Sequence, residues 1–426
     1  MKIWLVQTGE EMPFDGPNTR LLRTALLANE LAARGHDVTY LNASFNHQQK
    51  RQRSAMTSVV AANPLAGHNY TSYLLKGRAY TRNISVGRFL CQRENARAFK
   101  KIAPSLPTPD IVYCGFPPIE LAHASVTYAK KQNIPVVADC RDMWPEVIAE
   151  RLPSILRLLA KPVIGLMELQ KRATLRNATA ITGITKHFVA WGLKAAGRQA
   201  RPEDRPFHLA ASPNTSAPED LDAARAFWTN MIGPADAEVR VGCFVGTLAQ
   251  RLDIETMLDG LDLLSDDERS RIRIALCGKG DLQDEVERRA SRNVALIFGG
   301  WRNGAELTAL MERSDFGILP YPNTADFLAS YPNKVGEYLI AGLPILTGLD
   351  GATGSLLDEA GVRLPYVAGD AESFANALRT ILMRGESPGL AQQAKALGAS
   401  QFDARRIYPA FADWLEDIAS KGAIAA

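Results

Sequence analysis

The sequence predicts an α/β protein built from two doubly wound, Rossmann-like domains in tandem, facing one another across a cleft. Three observations carry that expectation. Short β-rich runs alternate with helix-length amphipathic segments along the whole chain, the pattern of mostly parallel sheets wrapped by helices. The 426 residues are long for a single hydrophobic core. Between residues 201 and 238, turn-rich stretches such as RPEDRP and IGPADAE interrupt the alternation, which then restarts as a fresh series. The expected boundaries are 1–205 for the first domain, 206–402 for the second and 403–426 for a last amphipathic helix, and ligands of such sheets bind at the carboxyl ends of the strands.

In the first half the expected strands are Lys2–Gln7, Asp37–Asn42, Ile111–Cys114, Pro135–Asp139 and Ala180–Thr185. In the second they are Arg240–Gly246, Arg273–Gly278, Val294–Phe298, Phe316–Pro320 and Pro344–Thr347. The first strand leads into the loop TGEEMPFDGP and then a helix from about Asn18, which can cap it, to Arg34 before Gly35. The loop has no GxGxxG, so a dinucleotide site has little support. Gly9 would let the backbone approach a phosphate; simple turn chemistry accounts for it equally well.

Composition is ordinary for a globular protein, with 46% apolar and 22% charged residues. No run approaches the roughly 20 apolar residues that span a bilayer. The start, MKIWLVQTGEEMPFDG, reads as a strand and loop rather than a signal peptide. The five cysteines lack metal-site spacing, and buried reduced thiols fit a cytoplasmic protein. The net charge of +3 hides an asymmetry. Residues 1–205 hold 29 Lys/Arg against 15 Asp/Glu, a balance of +14, and the rest hold 20 against 31, a balance of −11. The first half should therefore meet something anionic, a membrane surface or lipid phosphates; no nucleic-acid-binding motif is present. Residues 151–176 form a basic amphipathic pattern suited to a membrane interface. A core-facing helix with a solvated basic face fits the same pattern. Pro162 is expected to split the segment into two helices.

Three constellations carry chemistry. In SYPNKVGEYLIAGLPILTG, Ser330–Gly348, Ser330 is placed to cap a helix starting near Pro332. Asn333 and Lys334 lie in its first turn, and Lys334 and Glu337 share a face. The free N–H groups and dipole of such a helix start suit a diphosphate, with Lys334 as an added cation. Glu337 would accept hydrogen bonds from ribose hydroxyls. A capped surface helix with a local Lys–Glu pair is the plainer reading. The run Arg141-Asp142-Met143-Trp144-Pro145-Glu146 follows a strand, so Asp142 is placed to orient or deprotonate an acceptor hydroxyl; a loop-internal Arg–Asp pair beside a buried Trp is the alternative. The loop SFNHQQKRQR brings His47, Lys50, Arg51 and Arg53 together, suiting a phosphate-bearing acceptor, or simply a solvated charge run.

SYPNKVGEYLIAGLPIL resembles the C-terminal signature of family 4 retaining glycosyltransferases, in the form SIPNK-x-x-EY-x-x-AG-x-PI of a bacterial surface-polysaccharide subgroup. RDMWPE resembles a run of the same subgroup. The resemblance implies the GT-B fold, with the last helix returning to the first domain. It implies retaining, metal-independent transfer from a nucleotide diphospho-sugar, taken as UDP-linked, with no other cofactor. The implied acceptor is a polyprenyl-diphosphate-linked saccharide, met by a protein peripheral to the inner membrane face. The family's second glutamate falls on Glu337; its first falls on Ala329, a departure. FVGTLAQRLD resembles the family's opening strand and loop, with Gly246 at the turn. The family's diphosphate-clamping basic residues fall on Thr247 and Leu252, leaving Arg251 as a substitute. ALCGKGDL supplies Gly278 and Gly280, and Trp301 falls where it would stack on uracil or cover the sheet. The implied catalytic residues are Asp142, Lys334 and Glu337. The implied donor residues are Gly9, Gly246, Thr247, Arg251, Gly278, Trp301, Ser330, Asn333, Lys334 and Glu337. The expected acceptor residues are His47 and Lys50, from the cationic loop, with Arg141 and Asp142, from the run that resembles the subgroup's. A sugar-nucleotide epimerase or hydrolase of the same fold, and a non-catalytic sugar-nucleotide-binding protein, are the alternatives.

Overall fold

The structure, a computed structural model, describes residues 1–16, 19–63, 68–212, 216–385 and 388–424. The chain forms two compact units, one of Met1–His208 with Arg406–Ala426 and one of Leu209–Arg405.

The first unit holds β1 (Lys2–Val6), β2 (Asp37–Ala43), β3 (Phe45–Asn46), β4 (Arg51–Gln52), β5 (Ser58–Val60), β6 (Thr71–Leu75), β7 (Ile111–Phe116), β8 (Val136–Cys140), β9 (Ala180–Gly183) and β10 (Arg205–Pro206). Its main sheet runs β10-β9-β8-β7-β1-β2-β6-β5. Every pair is parallel except β5 with β6. β7 and β8 are buried along their whole length, as strands covered on both faces must be. The sheet order reverses direction between β1 and β7, and that reversal opens a crevice at their carboxyl ends. Trp4 stacks on Tyr128 at 5.3 Å within the core. The helix Ala404–Ile424 contributes Phe411, which stacks on Phe207 at 4.1 Å.

The second unit holds β11 (Arg240–Val245), β12 (Ile272–Cys277), β13 (Leu296–Gly300), β14 (Phe316–Leu319), β15 (Ile345–Thr347) and β16 (Arg363–Pro365). They form a wholly parallel sheet in the order β13-β12-β11-β14-β15-β16. This is the doubly wound order of a Rossmann sheet, with its switch point between β11 and β14.

All the expected strands form, within a few residues of their expected ends. The short edge and hairpin strands β3 to β6, β10 and β16 had no separate periodic signal. Two local expectations are corrected. Pro162 does not divide its segment: one helix runs unbroken over Ser154–Asn177 with Pro162 inside it. The break falls earlier, at Leu152–Pro153, after the short helix Glu146–Arg151, because the residue before a proline is disfavoured in the helical region. The first helix starts at Arg23, not near residue 18, and its N-cap Leu22 has no capping side chain. The cap comes from outside: the Glu10 carboxylate accepts from the Thr24 N–H at 3.1 Å and from the Thr24 hydroxyl at 2.8 Å. Asn18, the expected cap, lies outside the described residues.

All five cysteines are buried and free. No helix among the described residues is long and apolar enough to cross a membrane.

Candidate functional site

In the second unit, three loops meet at the carboxyl ends of adjacent strands. The Gly246 N–H donates to the Cys277 carbonyl at 2.9 Å, and the Gly278 N–H to the Gly300 carbonyl at 2.8 Å. A Cβ on Gly278 would lie 1.7 Å from the Gly246 carbonyl oxygen, and one on Gly280 2.3 Å from that of Leu248. This close approach is why the G-x-G turn is glycine. Gly278→Ala should destabilise the second unit by about 3 kcal/mol, the upper range for forced overpacking, read as a lowered urea midpoint. Thr247 is exposed just beyond Gly246. Trp301 follows Gly300 and is 55% exposed, so it does not cover the sheet.

The helix Asn333–Ala341 starts beside the switch point, between β14 and β15. It is capped differently from the sequence expectation. Pro332 itself is the N-cap residue. Ser330 is buried, and its hydroxyl donates to the Phe327 carbonyl at 3.2 Å. Proline at the helix entry fixes φ, so a side-chain cap is not required to set the chain direction; Ser330 anchors the preceding turn instead. The Lys334 ammonium donates to the Glu337 carboxylate at 2.5 Å, with their side chains only 12% and 17% exposed. Lys334 is close enough for its charge to act on the thiols of Cys243 within β11 and Cys277 at the end of β12. The exposed Arg251 lies over the Phe327 ring at 5.2 Å. Tyr321 feels the charges of both Arg251 and Glu337, so the two share a neighbourhood. Ala329 ends the short helix Ala325–Leu328. The structure thus gathers Gly246, Gly278, Arg251, Lys334 and Glu337 around one sheet edge.

In the first unit, a cavity of about 260 Å³ opens at the β1/β7 switch point. It is lined by Thr8, Gly9 and Glu10 after β1, His47 after β2, and Arg141 and Asp142 after β8, with Arg88 from the helix Val86–Ile102. Gly9, at φ +90, has no heavy atom within 4 Å of its would-be Cβ, so its glycine is required by backbone conformation. It belongs to this first-unit cavity.

Arg141 and Asp142 turn to different partners. Asp142 accepts from the Met143 N–H at 2.9 Å and from the Trp144 indole N–H at 3.0 Å. Arg141 donates to Asp139 at 2.6 Å, to the Thr24 hydroxyl and the Tyr113 phenol at 2.7 Å each, and also to Glu10. Asp139 in turn pairs with Arg23 at 2.9 Å, and Arg23 donates to the Phe207 carbonyl at 2.8 Å. Burial opposes ionisation of Asp139, but the charges of Arg23 and Arg141 outweigh it and hold its pKa at about 2. The sequence reading missed Glu10, Arg23 and Asp139. The available signal was a carboxylate inside the apolar run Val136–Cys140, which is rarely buried without a partner.

His47 accepts at Nδ1 from the Tyr80 hydroxyl, 2.6 Å away, with the Lys50 ammonium 3.3 Å from the same nitrogen. Burial, reinforced by the charges of Arg88 and Lys50, pushes His47 down to about 4. The neutral ring with Nδ1 accepting carries its proton on Nε2, so His47 is a hydrogen-bond donor rather than a base in this arrangement. Lys50 donates to Asn83 at 2.7 Å. Arg53 pairs with the buried Asp15 at 2.5 Å and is structural.

The helix Ser154–Asn177 turns Met167 and Leu175 inward but exposes Ile155, Leu156, Leu158, Leu159, Val163, Leu166 and Leu169. Arg157, Lys161, Arg172 and Arg176 are exposed with them. Lys171 is not part of that basic face, because it is buried against Glu146 at 2.6 Å and Glu168 at 2.7 Å.

With these sites in place, comparison with known proteins is informative. Residues 239–384 match the family described as Glycosyl transferases group 1. The glycosyltransferase match runs from the start of the second unit's sheet into the helix Ala371–Arg384, and contains Gly246, Thr247, Arg251, Gly278, Trp301, Ser330, Asn333, Lys334 and Glu337. No curated protein sequence matches the chain. Solved structures share its fold over nearly the whole length. Sucrose-phosphate synthase from Thermosynechococcus elongatus is 14% identical, with TM-score 0.71 and 99% of each chain covered. WaaG, a glycosyltransferase involved in lipopolysaccharide biosynthesis, is 16% identical, with TM-score 0.64 and 97% of this chain and 99% of WaaG covered. Anabaena HepE in complex with UDP-glucose is 14% identical, with TM-score 0.62 and 98% and 100% covered. The fold is GT-B.

Proposed function

We propose that this protein is a retaining glycosyltransferase that moves a sugar from a UDP-sugar to a lipid-linked saccharide in bacterial surface-polysaccharide synthesis. One observation carries the reading. The helix Asn333–Ala341 starts at the switch point of a Rossmann sheet, with Lys334 and Glu337 beside it and Arg251 nearby. Its free N–H groups and Lys334 would stabilise the departing diphosphate. Glu337 would hold the ribose hydroxyls, and the exposed Trp301 would stack on the base. In the first unit, Asp142, Arg141 and His47 line the acceptor cavity, with the Lys50 ammonium 3.3 Å from His47 Nδ1. Asp142 would orient the attacking hydroxyl, and His47 would donate a hydrogen bond to the acceptor. The group 1 family match supports the donor side, and the HepE complex with UDP-glucose supports a uridine donor.

A thermal-shift screen of UDP-, GDP- and dTDP-sugars tests the donor assignment. UDP-sugars should raise the midpoint, and Glu337→Ala should abolish the rise. A rise of the same size in the variant would remove Glu337 from the donor site.

The lipid-linked acceptor and the peripheral membrane position rest on the exposed apolar and basic face of the helix Ser154–Asn177, where Ile155 and Leu159 are 77% and 72% exposed. Such a face partitions into a headgroup layer. Ile155→Ser with Leu159→Ser should cut co-sedimentation with vesicles containing anionic lipid by about tenfold, at roughly 25 cal/mol per Å² of apolar surface lost. Unchanged co-sedimentation would remove the membrane assignment.

A further inference from the structure

The first unit's cavity contains a cation without a partner anion. Arg88 is held by its stacking over the Trp144 ring, 4.8 Å to the centroid, and by Nη1 donating to the Asn83 carbonyl at 2.8 Å. Its Nε is buried and has no hydrogen-bond partner. No carboxylate among the described residues forms an ion pair with it. Asp142 acts on it electrostatically, without an ion pair between them. Glu10, the other carboxylate lining the cavity, is bound by Arg141. A largely buried charge left unpaired is costly.

The helix start and Lys50 add positive charge beside it. Arg88 lies in the first turn of the helix Val86–Ile102, where the dipole already favours an anion, and no acidic residue occupies that turn. Lys50 is tied to the same residue through the Asn83 side chain at 2.7 Å. His47, on the same wall, is neutral with Nε2 left to donate. Burial and then the charge of Arg88 push the Lys50 ammonium down, so the two cations act on each other.

We infer that the cavity takes the phosphate group of an anionic acceptor, with Arg88 as the specificity-determining residue. Arg88 lines the cavity with a guanidinium donor that no acceptor uses, and a planar guanidinium suits phosphate oxygens in a way that lysine cannot reproduce. Lys50 and His47 Nε2–H would supply further donors. Asp142 also helps to position Arg88, since it accepts from the Trp144 indole over which Arg88 stacks. The word acceptor rests on the glycosyltransferase reading; the phosphate site does not.

The test uses the full chain and inorganic phosphate as probe, followed by titration calorimetry, with UDP titrated separately. The unsubstituted protein should bind phosphate, and Arg88→Ala should weaken binding about tenfold or more, as expected for loss of a charge-assisted pair. Arg88→Lys should recover part of that loss, and Lys50→Ala should weaken binding by several fold. Circular dichroism establishes that each variant is folded, and Lys50→Ala carries the test should Arg88→Ala not fold. Glucose 6-phosphate and farnesyl diphosphate, added as competitors, separate a sugar phosphate from a lipid diphosphate as the source. Displacement of phosphate by either one supports the inference. Phosphate affinity unchanged in Arg88→Lys and Lys50→Ala, or no phosphate binding by the unsubstituted protein, would overturn it. Absence of UDP binding alone would count against the glycosyltransferase reading and leave the phosphate site standing.

Discussion

Lys334→Ala is expected to lower turnover of the preferred UDP-sugar by about 100- to 1,000-fold, the range for removing one charge-stabilising donor from a reacting centre. The physical reason is where negative charge grows. In the proposed transfer, charge would accumulate on the departing phosphate oxygen as the glycosidic bond to the diphosphate lengthens. Lys334 stands in the first turn of the helix Asn333–Ala341, already paired with Glu337 and largely shielded from water. An ammonium so placed acts at low dielectric and needs no reorganisation. The fold should survive, because the side chain lies at the helix start and outside the hydrophobic core of the second unit. Lys334→Arg should retain more activity than alanine, though not all of it, since a planar fork replaces a point charge. Steady-state kinetics beside thermal unfolding settle the matter: turnover within threefold of the unsubstituted enzyme would remove Lys334 from the reaction.

Asp139→Ala should produce the largest loss of stability, about 3–5 kcal/mol, the cost of removing one member of a buried ion-pair network. Asp139 is fully buried and bonded to Arg23, Arg141 and Tyr113. Without it two guanidinium groups lose a shared countercharge inside the first unit, where a domain's total stability is only about 5–15 kcal/mol. The same carboxylate makes a pH prediction. Its folded pKa, about 2, lies below the ordinary 3.8, so the unfolded chain takes up the proton first. The stabilisation, on the order of 2 kcal/mol, is fully present above about pH 4 and is lost as pH falls toward 2. Asp139→Asn should therefore flatten the acid limb of the stability profile. An unaltered urea midpoint in Asp139→Ala would show that the network contributes nothing.

The GT-B fold was legible because both of its signals are local. Val/Ile-rich runs alternating with amphipathic helices report parallel sheets, and the restart after residue 238 marks a second sheet. The second-unit site was legible for a similar reason. Lys334 and Glu337 are three residues apart on one helix, so their meeting follows from helical geometry. The glycines of GKG mark a turn wherever they occur. What failed was capping and partner choice. Ser330 has the right chemistry for a cap, yet the chain turns at Pro332. Arg141 and Asp142 are neighbours in sequence but point to different partners: the chain leaves β8 at Cys140, and Arg141 reaches Asp139, Thr24 and Tyr113 while Asp142 accepts from Met143 and Trp144.

Taken alone, the sequence determined the two-sheet α/β architecture, the charge asymmetry between the halves and the Lys334–Glu337 pair, since each depends on spacing or composition within a short window. Tertiary structure decided that Glu10 caps a helix starting at Arg23, that Asp139 joins Arg23 to Arg141, and that Arg88 comes to the cavity of His47 without an anion to meet it. Those partners are brought together by strand order, with 116 residues separating Arg23 from Asp139. Pairings of that kind are set by which loops a sheet gathers at one edge, information that no window of periodicity contains.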